Sequence, residues 1–600
     1  MRPTEGIPLT KSEPRKYRLN IIAEPALIFL VIISSCFLLN RGLRIGHDLE
    51  FFIYRLKGVA DSLSAGEVLG RIQTSQINGY GYPVGVMYCN FFYYPAAILH
   101  LLGLSLDNCY RFVVLTVNLV TVFVGTYSFT KICGSRKLGL FATWLFTLSY
   151  YRIEDITLRS DIGEAFGMAF MPLVAMSFCL VLSGGRNLRG DEEKTLLPPW
   201  MLFGLSMAGV GASNVPLTLI CTLFLFLMYC LALALFPPTR SVIPFTSLLK
   251  GTLLCLLLLS FYIVPLFDYY LNAELATTSG VVYQGTSEAA ANYAVSFSQL
   301  FAPLKSMSGS ADTLTMPTTT GLALLIGPTV HALTKINYSS RRLSASLLIL
   351  TALALVMCTT LFPWDTEIPF LRSLVNLIAK IQFPWRFLSM ACLFLAIVSA
   401  LSIGEIHVQH PGLYPVLMAG ILAISTIEAL YGITSWQYGT GSTNTTEILS
   451  TNEGAADKIF IPARAYGNES IDCSIDYPIS SSSQIEISSY EKSGTTMTLE
   501  IEADGSGTVR LPAYNYLHYA TRSSSDDVMV DISTDDQGRI SLDVRGSGAA
   551  TVTVWFDEPV AWRASELVSL AAACVVILYA ARRKMRAAGP DDKTDRLERA

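Results

Sequence analysis

The sequence predicts a polytopic α-helical membrane protein of about twelve transmembrane helices, with a β-sandwich-like domain inserted before the last of them. Three observations predict it. Runs of about 20 apolar residues recur from Leu19 to Ala580, each long enough to cross a hydrocarbon core of roughly 30 Å. Charged residues make up 15% of the 600-residue chain and hydrophobic residues 52%, with a mean hydropathy of +0.45; an ordinary soluble domain is roughly 25% charged. A long polar segment near the C-terminus alternates apolar and polar residues with a period of two. This composition excludes a disordered chain, a collagen and a small disulfide scaffold. A formal charge of −4 carries no nucleic-acid signature.

Taken in order, residues 1–18 form a basic tail with Lys11, Arg15, Lys16 and Arg18. The run 19–40 lacks a well-placed small-residue cleavage site and reads as a retained first helix. Further spans are expected at 110–131, 138–153, 165–184, 199–213, 216–236, 248–267, 319–335, 343–362, 384–403, 411–433 and 563–581. The pair within 199–236 could instead be one long kinked helix. Basic residues cluster in the loops on one side: Lys131, Arg136 and Lys137; Arg186, Arg189 and Lys194; Arg240; Lys335, Arg341 and Arg342; and Arg582, Arg583, Lys584 and Arg586. The positive-inside rule makes that side cytoplasmic and puts both termini there. The organisation is then a cytoplasmic tail (1–18), a transmembrane domain (19–433) with outer loops 41–109 and 268–318, an extracytoplasmic β-rich domain (434–562), a final span (563–581) and a cytoplasmic tail (582–600).

The β-rich expectation rests on "MTLEIEAD", "GTVRLPAY", "RISLDVRG" and "ATVTVWFDE", whose alternation between turn residues reads as antiparallel strands. Most of the 12 cysteines sit in apolar runs and read as small buried hydrophobes; Cys473 stands alone in the polar segment. No cysteine pair or Cys/His set has zinc spacing. The sequons at Asn444 and Asn468 are at chance level. No strong internal repeat is visible, which disfavours an inverted-repeat transporter.

Polar residues near a membrane are costly, so their clustering carries information. Asp48 follows the first span in "RGLRIGHDLEFFIYRLKGVADSLSAGE". Leu49, Phe52, Ile53, Leu56, Val59, Ala60 and Leu63 recur there at helical spacing, with Glu50, Arg55, Lys57 and Asp61 elsewhere. This predicts an amphipathic helix in the interface plane, with Asp48 either a functional carboxylate or its N-cap. A short outer loop, "YYRIEDITLRSDIGEAFG", holds Arg152, Glu154, Asp155, Arg159, Asp161 and Glu164; a solvated turn with internal ion pairs is the alternative reading. In "IQFPWRFLSM", Arg386 lies at an outer helix start behind Pro384, a setting that suits an anion such as phosphate or simple snorkelling. The aromatics of "NGYGYPVGVMYCNFFYYP" suit an interface belt, or the lining of a sugar or lipid entrance.

Asp48 in "GHDLEFFIYRL", the stretch from Gly66 through "GYGYPVG" to "FYY", "YYRIEDITLRSDIGEAFGMAFMPL" and "FPWRFL" occur in this order. Together they resemble the bacterial 6-pyruvoyl-tetrahydropterin-synthase-related, YfhO-like family of integral membrane proteins, over most of the chain. Nothing here resembles the zinc-binding histidines of the soluble enzyme in that name. The family is in turn similar to the GT-C superfamily of glycosyltransferases. The resemblance implies a GT-C-like transmembrane domain, a polyprenyl-phosphate-sugar donor, a cell-envelope glycan or polymer as acceptor, and Asp48 at the catalytic position. Asp155, Arg159, Asp161 and Glu164 would contact substrate or metal, and Arg386 the lipid phosphate. No DxD triplet is present, so Asp155 and Asp161 supply only part of a ligand set for a divalent metal ion. A carboxylate base acting on the acceptor hydroxyl, with cationic groups or a metal meeting the departing phosphate, predicts transfer with inversion. The competing readings are a transporter or flippase of lipid-linked glycans and a non-catalytic envelope-assembly scaffold. A transporter calls for ionisable residues near mid-membrane, where Glu428 is the conspicuous one.

Overall fold

The computed structural model describes residues 23–186, 192–193, 195–235, 242–282, 285–301, 318–333, 338–437, 442–450, 458–466 and 476–587. Arg189, Lys194, Arg240, Lys335, Asn468 and Cys473 lie outside them. Among the described residues, 8 helices are long and apolar enough to cross a membrane: Leu106–Cys133, Ile162–Leu182, Val215–Leu235, Pro244–Asn272, Arg341–Cys358, Pro384–Gln409, Tyr414–Thr434 and Val560–Met585. The chain is a multi-pass membrane protein. The remaining expected spans fall on shorter helices at Ala23–Ser35, Arg136–Thr147, Pro199–Ser213 and Leu322–Leu333, so length and composition support eight crossings where the sequence suggested about twelve.

The pair within 199–236 is two helices broken at Asn214. The Asn214 side chain accepts from the Leu217 amide at 2.9 Å and so caps the second helix, while Pro216 cannot continue the first. Ser213 abuts Gly163 at the start of Ile162–Leu182, whereas Leu235 accepts from the Arg342 guanidinium. Both helices therefore run away from Asn214. At the end remote from Asn214, Lys131 pairs with Glu193 at 2.5 Å. Glu428 accepts from the amides of Leu322 (2.5 Å) and Ala323 (3.1 Å). It satisfies the first donors of Leu322–Leu333 and places an anion at that helix's positive end.

The helix after Asp48 is present where the spacing predicts it, but it is not open to water and lipid on two faces. Leu49–Ser64 buries Phe51, Tyr54, Arg55 and Gly58 as well as most of its apolar stripe, so protein covers it on several sides. Its Arg55, expected on the polar face, donates to Asn90 Oδ1 (2.7 Å) and the Cys89 carbonyl (2.6 Å). The guanidinium also lies 4.4 Å from the Tyr93 ring centre and 5.1 Å from that of Tyr88. The aromatic stretch that follows is largely internal too: Tyr80, Tyr82 and Tyr93 are buried. It forms a bed for the C-terminal domain, in which Tyr80 meets Tyr514 and Tyr82 meets Phe460.

That domain is built on two long antiparallel strands, Thr496–Tyr514 and Arg539–Phe556. Gly505 pairs with Gly546, at φ 144° and 139°, a conformation L side chains rarely adopt. A Cβ at Gly546 would also meet the Asp527 carbonyl oxygen at 1.9 Å. On one side of this bend the pair is flanked by Ile485–Ser493 and Tyr519–Ser523, on the other by Ile479–Ser480 and Val528–Thr534. The two halves bury one core, with Met497, Leu499, Val552 and Val554 from the first and Val509, Leu511, Leu542 and Val544 from the second. A single bent sheet thus makes the sandwich.

The sandwich is tied to the first loop. Thr495 donates through amide and hydroxyl to Glu67, both at 2.6 Å; the Tyr514 amide donates to the Tyr80 carbonyl at 3.0 Å; and the Tyr516 hydroxyl donates to the Gly81 carbonyl at 3.0 Å. Lys492, half-buried, donates to the carbonyls of Gly79 (2.5 Å) and Pro512 (3.3 Å). Burial lowers its pKa from 10.5 to about 8, because no carboxylate replaces the water its ammonium gives up. Between those values the unfolded chain binds more protons than the folded one. The attachment is therefore expected to strengthen as pH rises from about 8 to 10.5 and to be insensitive to this group below pH 8. Thermal unfolding in detergent across that range checks it, with Lys492→Met expected to flatten the rise.

Candidate functional site

The segment Arg152–Glu164, expected as a short outer loop holding either a functional cluster or a solvated turn, is buried throughout, which excludes the solvated turn. A helical turn, Tyr150–Glu154, runs into a wide π-turn, Asp155–Arg159, and Ser160 closes it at φ 57°. Asp161 then caps Ile162–Leu182, accepting from the Glu164 amide at 2.9 Å. The π-turn leaves the carbonyls of Leu158 and Arg159 without helical donors. The amides of His47 (3.0 Å) and Asp48 (2.7 Å) supply them. This backbone pairing brings Asp48 to the acidic turn, and it requires Gly46, where a Cβ would lie 2.1 Å from Ser160 Oγ and 2.8 Å from the Leu158 carbonyl oxygen.

Charge balance explains how the turn can be buried. Arg159 donates through Nη1 to Asp155 Oδ1 (2.7 Å) and Glu164 Oε2 (2.8 Å), and through Nη2 to Asp161 Oδ2 (2.9 Å). Arg386, on the turn Pro384–Phe387, donates through Nε to Glu164 Oε2 (3.0 Å) and through Nη2 to Asp161 Oδ2 (3.3 Å). Its Nη1 meets the Ile381 carbonyl (2.9 Å) and Gln382 Oε1 (3.0 Å). The Tyr151 hydroxyl completes the set at 2.6 Å from Glu164 Oε1. Three carboxylates against two guanidiniums leave one negative charge in excess. Burial and then the neighbouring Glu164 raise the Asp155 pKa, and Asp155 Oδ2 is buried with no hydrogen-bond partner. Burial also pushes on Asp161, but Arg159 and Arg386 beside it outweigh that and hold it below the ordinary value. Burial raises the Arg152-side neighbour Glu154 well above the carboxylate range.

The sequence-derived candidates thus converge: Asp155, Arg159, Asp161, Glu164 and Arg386 form one cluster, and Asp48 stands at its edge, its Oδ2 3.9 Å from Arg159 Nη2. Asp48 occupies the N-cap position of its helix but makes no side-chain capping bond. Its side chain is 37% exposed, against 0% for Asp155 and Glu164 and 7% for Asp161. Oxygens of Asp155, Asp161 and Glu164 lie within 4.8 Å of one another, close enough for a cation to bridge. Guanidinium nitrogens already take one oxygen of each, however, and two fixed positive charges oppose a third. The set fits arginines, not a divalent ion.

Sequence reasoning named Arg152 but missed the partners that anchor it beneath the site. Arg152 is fully buried and donates to Asn118 Oδ1 (2.9 Å), Thr121 Oγ1 (2.8 Å) and the Thr147 carbonyl (3.1 Å). Asn118 in turn donates to the Ser34 carbonyl and Ser35 Oγ, each at 2.9 Å. The usable signal was Asn118 itself, a carboxamide in the middle of an apolar run.

No family model and no curated protein matches the chain, so the family resemblance rests on its motifs. Among solved structures, the chain is similar to the cryo-EM structure of the arabinofuranosyltransferase AftD from Mycobacteria, at 16% identity and a TM-score of 0.38. The match covers 68% of this chain but only 27% of that one. A likeness of this size assigns no activity.

The cluster's asymmetry is testable. Asp161→Asn keeps the cap but removes a charge two arginines depend on, and is expected to cost about 3–5 kcal/mol, as for other broken buried pairs. Asp155→Asn replaces a carboxyl already pushed toward its neutral form and is expected to cost markedly less. Stability contributed by Asp161 is present above the ordinary carboxylate pKa and lost as pH falls through its depressed folded value. Thermal unfolding of the two variants is the check, and the reverse order would refute the charge assignment.

Proposed function

We propose that the chain is an integral-membrane glycosyltransferase that moves a sugar from a polyprenyl-phosphate donor to a cell-envelope glycan or polymer, on the extracytoplasmic face of the cell membrane. Supporting this most directly is the division among the carboxylates: Asp155, Asp161 and Glu164 are buried in arginine contacts, and Asp48 alone of the four opens to solvent. Asp48 is the general base that takes the proton from the acceptor hydroxyl. The anomeric carbon then exchanges its bond to the lipid phosphate for one to the acceptor oxygen, with inversion if the attack is in line. Charge grows on the departing phosphate, and the field of Arg159 and Arg386 meets it; both are held in place before reaction, which is what makes such stabilisation effective. Arg386, expected from the sequence to grip the phosphate itself, spends its fork on Glu164 and Asp161. Its role in this reading is electrostatic. No step runs through a metal ion.

The transporter reading loses its anchor, since the Glu428 carboxylate is occupied in capping Leu322–Leu333. The decisive experiment is transfer from a panel of polyprenyl-phosphate sugars by purified protein and its Asp48→Asn variant at matched abundance. Losing a general base lowers the rate by about 10² to 10⁴. Because Asn caps helices about as well as Asp, a merely structural Asp48 would leave activity near wild type and favour the transporter or scaffold readings.

A further inference from the structure

The helix Pro369–Ile378 faces three different environments. Leu371, Val375 and Ile378 turn inward onto the main core, with Val375 at 0% exposure. Phe370, Leu374 and Leu377, spaced i, i+4 and i+7, turn outward at 84%, 46% and 66% exposure. Arg372, Ser373 and Asn376 are exposed on the remaining side, and Lys380 continues that polar side beyond the helix end. A helix at the surface of a water-soluble fold needs only an inward apolar face and an outward polar one. A second, outward apolar face beside a polar one is the pattern of a helix seated at a water–lipid boundary.

Its position agrees. The helix is strung between two membrane spans, Arg341–Cys358 and Pro384–Gln409, so its ends are tethered where those spans terminate. Leu361 and Ile368, in the segment leading into the helix, are each 63% exposed as well. Stacked Phe383 and Trp385, with ring centres 4.7 Å apart and Tyr293 against both, stand beside it, and such rings favour headgroup depth.

We infer that Pro369–Ile378 lies in the interface of the bilayer, with Phe370, Leu374 and Leu377 inserted among the lipids, and forms the lipid-side wall of the arginine–carboxylate site. The link to the site is short. The helix passes through the turn Ala379–Ile381 into Gln382, at φ 71°. The Ile381 carbonyl and Gln382 Oε1 are the acceptors that hold Arg386 Nη1. The depth at which lipid seats the helix therefore bears on the position of those acceptors.

The test needs no enzymatic activity, so it stands apart from the glycosyltransferase reading. Full-length protein carrying 4-trifluoromethylphenylalanine at position 370, and separately at position 376, is placed in nanodiscs of phosphatidylethanolamine and phosphatidylglycerol. Fluorine relaxation is measured with dissolved oxygen, which partitions into lipid, and with a water-soluble nickel chelate. The expected result is relaxation at position 370 dominated by oxygen and at position 376 dominated by nickel, a severalfold contrast between the two sites. Nickel acting equally at both positions would show the face open to water and overturn the inference. Insensitivity of position 370 to both agents would mean that protein covers it, and equal oxygen relaxation at both would mean a helix sunk on all sides; either result also overturns it.

Discussion

The structure depends on burying three carboxylates with two guanidiniums at one end of a helical bundle. Each ion withdrawn from water costs several kcal/mol unless its partners replace the hydration it loses. Arg159 replaces it for Asp155, Asp161 and Glu164 together, and Arg386 adds a second contact to two of them. The backbone follows from that requirement. A π-turn lets Arg159 reach its own segment's carboxylates, Asp161 ends the turn by capping the next helix, and the Pro384–Phe387 turn delivers Arg386 from far along the chain. Removing either arginine leaves carboxylates buried without compensation, so the segments are fixed as a unit.

That unit then positions what is not buried. The carbonyls of the π-turn capture the amides of His47 and Asp48, so the partly exposed carboxylate is placed through its main chain. The C-terminal sandwich holds the same loop from the other side through Glu67, Gly79, Tyr80 and Gly81. A further tie, in which Asp268 accepts from the Trp562 indole at 3.0 Å and contacts His518 at 2.8 Å, joins the sandwich to two membrane helices. Asp48 thus owes its placement to backbone pairing and domain docking, neither of which its own side chain provides.

Much of this was legible from residue types alone. Apolar runs marked the long helices to within a few residues, as with 110–131 against Leu106–Cys133, and period-two alternation marked the strands that build the sandwich. The clusters around Asp48, Asp155 and Arg386, far apart in sequence, lie together in the structure. What failed was the reading of environment. A dense run of charges looks the same whether water or its own members satisfy it, so the sequence left a solvated turn and a functional cluster both open for Arg152–Glu164, and burial of the whole segment excludes the solvated turn. The helix after Asp48 was read as interfacial because its spacing shows one apolar stripe. The covering of its other faces comes from Tyr88 and Tyr93 and from the distant helix Thr445–Ser450, which spacing along sixteen residues cannot reveal. Eight of the expected spans fall on helices long and apolar enough to cross, and the other four fall on shorter helices such as Arg136–Thr147, because hydropathy along a run does not fix where its helix begins and ends.

The distribution of polar groups across the bundle bears on which chemistry it can support. Polar residues inside apolar runs resolve toward the helix ends: Arg386 onto Glu164, Glu428 onto the first amides of Leu322–Leu333, and Asn118 onto Arg152 beneath the acidic turn. Below that layer the helices enclose a cavity lined by Met171, Phe178, Cys221, Phe224, Met390 and Phe394, an apolar wall with nothing to replace the hydration of an ion. Carrying a charged headgroup through such a wall would require partners along the way, as polar and ionisable residues supply in transport pathways. A reaction confined to one face needs none. These polar groups gather at the helix ends, and the wall of this cavity is apolar.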